Sequence, residues 1–328
     1  MGLSEANIEA KNFRSNRGAE ELLGLYFPVL DNGFCSLIDY MGNDACIAQA
    51  ARCSYGAGTK SISNNKGLIR YLINHKHTSP LEMVELKFHM KLPIFVARQI
   101  VRHRVANLNE LSGRYSIMPL QFYTPKHKDF QYQSTDNKQG RSGIVDENLY
   151  GNWIEDHISL REYCGNLYVK DLKNETAREI ARIDLPLSTY TEWYWKMDLH
   201  NLFHFLKLRC DEHAQFETRE YANIIAAMVK RVVPISFEAW LDYNYCAKSF
   251  SYQDLLALRN LLSEDFVIKS HPCDNLGMTK REENEFFAKV SDPIDKPDFD
   301  LDLSSVKPPS FFKEEAEKFV PKIDELKS

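Results

Sequence analysis

Val84, Leu86, Phe88, Met90 and Leu92 alternate with Glu85, Lys87, His89 and Lys91. A strict period of two puts every apolar side chain on one strand face and every charged one on the other. The chain must therefore build a sheet with one buried and one wet face. Pro93 then opens a helix at the first-turn position, where its missing N–H costs nothing. Ile94, Phe95, Val96, Ala97, Ile100 and Val101 make that helix apolar on most sides.

Around this strand and helix the sequence predicts mixed elements. Phe34–Met41 has strand character. Asn43 or Asp44 is placed to cap a short helix over the following NDACIAQAARCS segment. Leu68, Ile69, Leu72 and Ile73 give a helix over Lys66–His75, and Pro80 makes Ser79 an extended or turn residue. Residues 121–148 are polar and suit a long excursion. Helices follow: one ending near Ile183, one over Thr189–Arg209 and one over Asp211–Val233. Gln253–Leu262 and Thr279–Val290 read as further helices, the latter with a capping box. From Ser291 the chain carries prolines among charges, like an arm.

The whole chain of 328 residues, 44% hydrophobic and 12% aromatic, can bury a substantial core in one large domain or two ordinary ones. A formal charge of −5 argues against a protein that coats nucleic acid or an anionic membrane. Any bound anion must meet a local cluster. The 7 cysteines lack C-x-x-C pairing, and no charged-then-apolar leader opens the chain, which points to a reducing, cytoplasmic setting. No apolar stretch approaches the roughly 18 to 20 residues a bilayer crossing needs.

The local cluster is RHRVANLNELSGRY, Arg102 to Tyr115. On a helix, Arg102, His103 and Arg104 sweep roughly 200° and cannot all face one small ligand. Adjacent cations repel, and burying an unpaired one costs several kcal/mol, so a ligand or another chain must supply anions. Gln99 sits one turn before Arg102, and its amide can read a base edge or a phosphate. Asn107, Asn109, Ser112 and Gly113 offer polar donors, and Arg114 adds another guanidinium fork. The plain alternative is a solvated basic helix end paired with Glu110 and other acids. His200, His204, His213 and Glu217 fall at one-turn spacings that a metal could use, as in a helical nucleotide hydrolase, yet their neighbours are core-like and the H-E-x-x-H form is absent. A nucleic-acid-binding module using Arg102 to Arg114 is a third reading. Gly58-Thr59-Lys60-Ser61 lacks phosphate-loop spacing and reads as surface loop, and Cys210 and Cys273 as small apolar side chains.

The R-H-R-x7-S pattern, Arg102-His103-Arg104 to Ser112 followed by Gly-Arg-Tyr, resembles the signature of flavin-dependent thymidylate synthases. Leu30–Asp44, His77–Glu82, Leu92–Gln99, Ala181–Trp195 and His200–Glu217 are similar to family segments in family order. The resemblance spans Leu30 to Tyr245. It implies an α+β fold, helix-rich with a small antiparallel sheet: residues 1–29 as an N-terminal extension, 30–250 as the catalytic domain, and 251–328 as a C-terminal helical extension and charged tail. It implies a homotetramer with sites at subunit contacts, each joining FAD and dUMP. The implied reaction methylates dUMP to dTMP, with carbon from 5,10-methylenetetrahydrofolate and electrons from NADPH through the flavin, leaving tetrahydrofolate. No cysteine nucleophile and no metal are involved.

By matching position, the resemblance gives cofactor contacts to His77, Ser79, Arg102, His103, Arg104, Glu110, Asp198, Leu199, His200 and His204. It gives the nucleotide to Gln99, Arg102, Glu110, Leu111, Ser112, Gly113, Arg114, Arg182 and Arg209. Arg209 stabilises negative charge developing on the pyrimidine, a role that accounts for about 3 to 4 kcal/mol per well-placed donor. Ser112 is the hydroxyl near the reacting carbon and acts as a positioning group. Asn107 stands where many members have Ser or Thr. The Asp198-Leu199-His200 run with His204 replaces an Asn-rich version, which alters the flavin and folate contacts.

Overall fold

The computed structural model describes residues 16–53, 65–251, 253–254, 257 and 299–318. The chain divides into two compact units, Met1–Glu238 with Phe299–Ser328, and Ala239–Asp298. The second unit shows, among its described residues, a π-helical turn over Leu241–Tyr245. The expected helix over Thr279–Val290, most of that over Gln253–Leu262, the Gly58–Ser61 loop and Cys273 lie outside the described residues.

In chain order the elements begin with α1 (Arg17–Glu20), β1 (Phe27–Val29), β2 (Gly33–Met41), α2 (Asp44–Arg52) and α3 (Asn65–Asn74). A short 3-10 turn (Leu81–Met83) leads into β3 (Glu85–Pro93), α4 (Ile94–Ile100) and β4 (Asn107–Glu110). The hairpin β5 (Gln131–Gln133) and β6 (Arg141–Ile144) precedes α5 (Glu147–Lys173) and α6 (Arg178–Ala181). Then come β7 (Tyr190–Asp198), α7 (Leu199–Arg209), α8 (Phe216–Val232), α9 (Pro234–Trp240) and, at the far end, α10 (Pro309–Glu317). The main sheet is antiparallel, in the order β1-β2-β3-β7-β4.

The alternating strand is the sheet's centre. Leu86, Phe88, Met90 and Leu92 are buried, and so are Trp193, Trp195 and Met197 on the paired β7. Trp195 meets Phe205 of α7 edge-on at 5.0 Å. Tyr221 of α8 donates its hydroxyl to the Lys91 carbonyl at 2.6 Å. A Cβ on Gly33 would stand 2.0 Å from that hydroxyl, so only glycine admits α8 this close to the sheet. Asn43 caps α2 through Cys46 N, while buried Asp44 accepts from Ile235 N, Ser236 N and the Ser236 hydroxyl at the start of α9.

Four expectations change. Thr189–Arg209 is not one helix: Tyr190–Asp198 is the strand β7, paired along all of β3, and the helix starts at Leu199. The reason is the alternation of Trp193, Trp195 and Met197 with Glu192, Tyr194 and Lys196, obscured by aromatic rings on both faces. Pro93 is the last strand residue and caps α4 rather than sitting within it. The helix expected to end near Ile183 is α5 plus the separate short α6, divided at Asn174 and Glu175, the latter at φ 60°. The polar excursion folds into the β5-β6 hairpin.

Described residues before 30 and after 298 pack into the first unit. Ala19, Leu22 and Phe27 are buried. Phe299–Lys318 returns to the same unit: Lys307 N donates to the Tyr26 carbonyl at 3.0 Å, and buried Phe312 lies 4.8 Å from the Phe34 ring.

Candidate active site

The basic run sits where α4 stops. Ile100 is the last helical residue, Val101 is its C-cap, and the backbone turns at Arg102 before entering β4. The 200° sweep along a helix therefore does not occur, and the bend alone separates the side chains. Arg102 and Arg104 are exposed, and neither guanidinium has a hydrogen-bond or ion-pair partner among the described residues. His103 turns inward.

His103 Nε2 accepts from Arg209 Nε at 3.0 Å, its ring meets Phe205 edge-on at 4.9 Å, and His204 lies 6.2 Å away. Burial lowers the His103 pKa to about 4, with Arg209 and then His204 pushing the same way. At neutral pH the ring is uncharged and, since Nε2 accepts, carries its proton on Nδ1. The run is thus two cations flanking a neutral ring, not three adjacent cations. Burial also lowers the Arg209 pKa. Its Nε is taken by His103, which leaves the two terminal nitrogens to face a ligand.

Gln99 lies on α4, and its amide reaches Gln215 and Thr218 at the start of α8. It donates to Gln215 and accepts from Thr218 Oγ1 at 3.3 Å. Glu110, at the end of β4, accepts from Thr191 Oγ1 at 2.7 Å and is not paired with the arginines. The polar donors expected from Asn107 onward stand on an edge strand up to Glu110, followed by a turn built on Ser112. The Ser112 carbonyl accepts from Tyr115 N and Ser116 N, and its hydroxyl accepts from Arg114 N at 3.3 Å. Leu111 packs with Met118, Tyr168 and Leu172 beneath this turn.

Gly113 is tied to Arg182. A Cβ at Gly113 would meet Arg182 Cδ at 2.9 Å and Met118 Sδ at 3.0 Å, so glycine lets that guanidinium lie across the turn. Arg114 pairs with Glu179 at 2.8 Å, and Arg178 donates to the Tyr115 carbonyl at 2.5 Å.

The remaining sequence-predicted residues gather at the other end of α7. Asp198 caps that helix through Asn201 N at 3.0 Å, and Leu199 N donates to the Val84 carbonyl at 2.8 Å. That bond sets Asp198, Leu199 and half-buried His200 against the segment running on from His77 and Ser79. His77 is exposed and stacks 5.8 Å from the Tyr71 ring. Helix α7 thus joins two groups: the 77–84 turn at its N-terminus, and the Arg102–Arg104 bend along its second half.

The histidine–glutamate spacing has another use. Glu217 accepts from Arg141, Tyr123 and Gln215, while His213 Nδ1 sits 2.8 Å from Asp211. Among the described residues no group of three His, Cys, Asp or Glu side chains is placed to hold a metal ion. Gln215, Tyr123 and Arg141 escaped the sequence reading. The local hint was the glutamate in HAQFE, whose spacing pointed to a metal instead.

Comparison with known proteins identifies the family. The family described as "Thymidylate synthase complementing protein" matches residues 36–235. A flavin-dependent thymidylate synthase of Treponema denticola is 52% identical over 238 residues, 72% of this chain and 90% of the relative. One from Ruegeria pomeroyi is 46% identical over 273 residues, 82% of this chain and 89% of the relative. Among solved structures, a UMP/dUMP methylase PolB from Streptomyces cacaoi bound with 5-Br UMP superposes with a TM-score of 0.60 at 28% identity, covering 67% of this chain and 98% of that one. A family match over residues 36–235 and relatives at 46% and 52% identity show that the chain belongs to the flavin-dependent thymidylate synthase family.

Proposed function

We propose that this enzyme methylates dUMP to dTMP, taking carbon from 5,10-methylenetetrahydrofolate and reducing equivalents from NADPH through FAD, and releasing tetrahydrofolate. When bound, FAD supplies the redox chemistry that side chains lack. The observation that carries the proposal is the bend itself, in which Arg209 is held by a neutral histidine between two exposed, unpaired arginines.

The residues fit a dinucleotide cofactor. Free guanidinium forks at Arg102 and Arg104 suit a pyrophosphate, which accepts bidentate hydrogen bonds. His77, Ser79, Asp198, Leu199, His200, His204 and His103 line the two ends of α7 beside them, and Glu110 stands at the end of β4. For the nucleotide we assign Gln99, Arg102, the turn Glu110 to Arg114, Arg182 and Arg209. Arg209 directs its terminal nitrogens to the uracil edge and stabilises negative charge gathering there. Ser112, its hydroxyl held by Arg114 N, positions the ring.

A cysteine nucleophile is unnecessary. Cys210 follows Arg209 directly, yet burial pushes its thiol up to about 12, far from a reactive thiolate. Apolar side chains crowd the cations: Val101, Val105, Leu108 and Tyr115 are all exposed, and so are Ile180 and Ile183. Such a patch around unpaired charge supports completion of each site by neighbouring subunits of a homotetramer. We place the enzyme in the cytoplasm. Among the described residues no helix is long and apolar enough to cross a membrane.

Anaerobic addition of NADPH to the purified protein tests the whole proposal. Bleaching of a flavin spectrum, followed by dTMP once dUMP and the folate are supplied, is the expected result. A colourless protein, or a reduced one that leaves dUMP unmethylated, overturns it.

A further inference from the structure

Behind Gln99 lies a polar chain in which the orientation of each amide is set by the group before it. It starts at Glu217, 3% exposed. Its carboxylate accepts from Arg141 Nη2 at 3.0 Å on both oxygens and from the Tyr123 hydroxyl at 3.0 Å. Arg141 is itself anchored, since its Nη1 donates to the Asp129 carbonyl at 2.9 Å. A carboxylate held this way only accepts.

Gln215 Nε2 donates to Glu217 Oε2 at 2.9 Å. Its Oε1 must then point the other way, where it accepts from Gln99 Nε2. The Gln99 carbonyl oxygen in turn faces Thr218 Oγ1, which donates to it at 3.3 Å. Reversing any one amide would set oxygen against oxygen or N–H against N–H. One N–H of Gln99 stays free, and its direction is fixed by a carboxylate two side chains away.

We propose that Glu217 and Gln215 are positioning residues for dUMP, acting through Gln99 by holding its amide with the N–H toward an acceptor oxygen of the nucleotide. Arg141, from the β5-β6 hairpin, holds Glu217 in place. This rests on the assignment of Gln99 to the nucleotide.

The test uses full-length, flavin-loaded enzyme and the variants Glu217→Gln, Gln215→Leu and Gln99→Leu. Glu217→Gln keeps shape but can donate, so Gln215 and Gln99 can both invert. The KM for dUMP should rise about tenfold with kcat within about twofold, the size of one lost hydrogen bond to a charged or strongly polar acceptor. Gln215→Leu, at an exposed position and leaving no buried charge, should do the same and keeps the test valid if Glu217→Gln folds poorly. The deciding measurement is each change on a Gln99→Leu background. There it should add nothing to KM. An equal rise with and without Gln99 would mean that Glu217 and Gln215 merely hold the hairpin, and would overturn the proposal. If Gln99→Leu alone leaves KM untouched, the assignment of Gln99 to the nucleotide fails, and this inference with it.

Discussion

The network behind Gln99 and the bend at Arg102–Arg104 are neighbours in the fold and opposites in their hydrogen bonding. In the network Glu217, Arg141, Tyr123, Gln215 and Thr218 each meet a partner within the chain. At the bend two guanidinium groups meet none among the described residues. Arg209 spends one nitrogen on His103 and leaves the others. A closed polar network holds shape, since each group already has what water would have given it. An open one keeps its hydrogen-bonding capacity for something the chain does not contain.

The sharpest break of that comparison is Arg209→Ala. If the open side does chemistry, kcat falls by about a hundredfold to a thousandfold, as when one charge-stabilising donor is removed elsewhere. The flavin should stay bound, because Arg102 and Arg104 are untouched. Loss of the yellow colour with turnover retained would reverse the roles given to the two sides.

Next in size is a paired stability measurement. Arg141→Ala strands a buried carboxylate, and losing one partner of a buried pair costs roughly 3 to 5 kcal/mol. Tyr123 and Gln215 still donate to Glu217, so the low end, about 3 kcal/mol, is expected in urea unfolding. Arg102→Ala, by contrast, should stay within about 0.5 kcal/mol, since an exposed side chain without a partner supports nothing. Equal losses in the two variants would erase the distinction between closed and open regions.

Between the two regions stands the Ser112 turn. Gly113→Ala places a methyl group 2.9 Å from Arg182 Cδ, and the guanidinium must shift. A displacement worth about 1 kcal/mol would raise the KM for dUMP roughly fivefold, read from steady-state kinetics, with little change in melting temperature. A lower melting temperature with KM unchanged would assign the glycine to packing alone.

How much of this was legible beforehand follows from distance along the chain. The strand through Phe88 could be read because one face is purely apolar and the other purely charged. Tyr190–Asp198 could not, because Tyr190, Trp193, Tyr194 and Trp195 put rings on both faces and hide the alternation. The arginines at 102 and 104 stood out as a local motif, and their exposure matches that reading. The neutrality of His103 depends on burial in the folded chain and then on Arg209, 106 positions away, and the role of Glu217 on Arg141, 76 positions away. Neither pairing leaves a trace in local spacing. His213 and Glu217 did leave such a trace and suggested a metal, although their side chains have separate partners.

His103 offers the finest comparison, because its charge state decides whether the bend holds two cations or three. Its pKa is lowered from an ordinary value near 6.5 to about 4. Between those values the unfolded chain binds the proton and the folded chain refuses it, so stability falls as pH drops through this window and levels off below about 4. The ring is half-exposed and solvent screens it, which limits the effect to about 1 kcal/mol. His103→Gln keeps an acceptor for Arg209 but cannot titrate. Melting curves from pH 7 to pH 4 should therefore fall less steeply for that variant than for the parent, the gap opening below pH 6.5. The same difference should shrink but persist in Arg209→Ala, where burial still opposes protonation of the ring and only the guanidinium's share is lost. Parallel curves for parent and His103→Gln would mean that the folded chain leaves the ring at its ordinary pKa, and the open region would then gain a third charge as pH falls through that value.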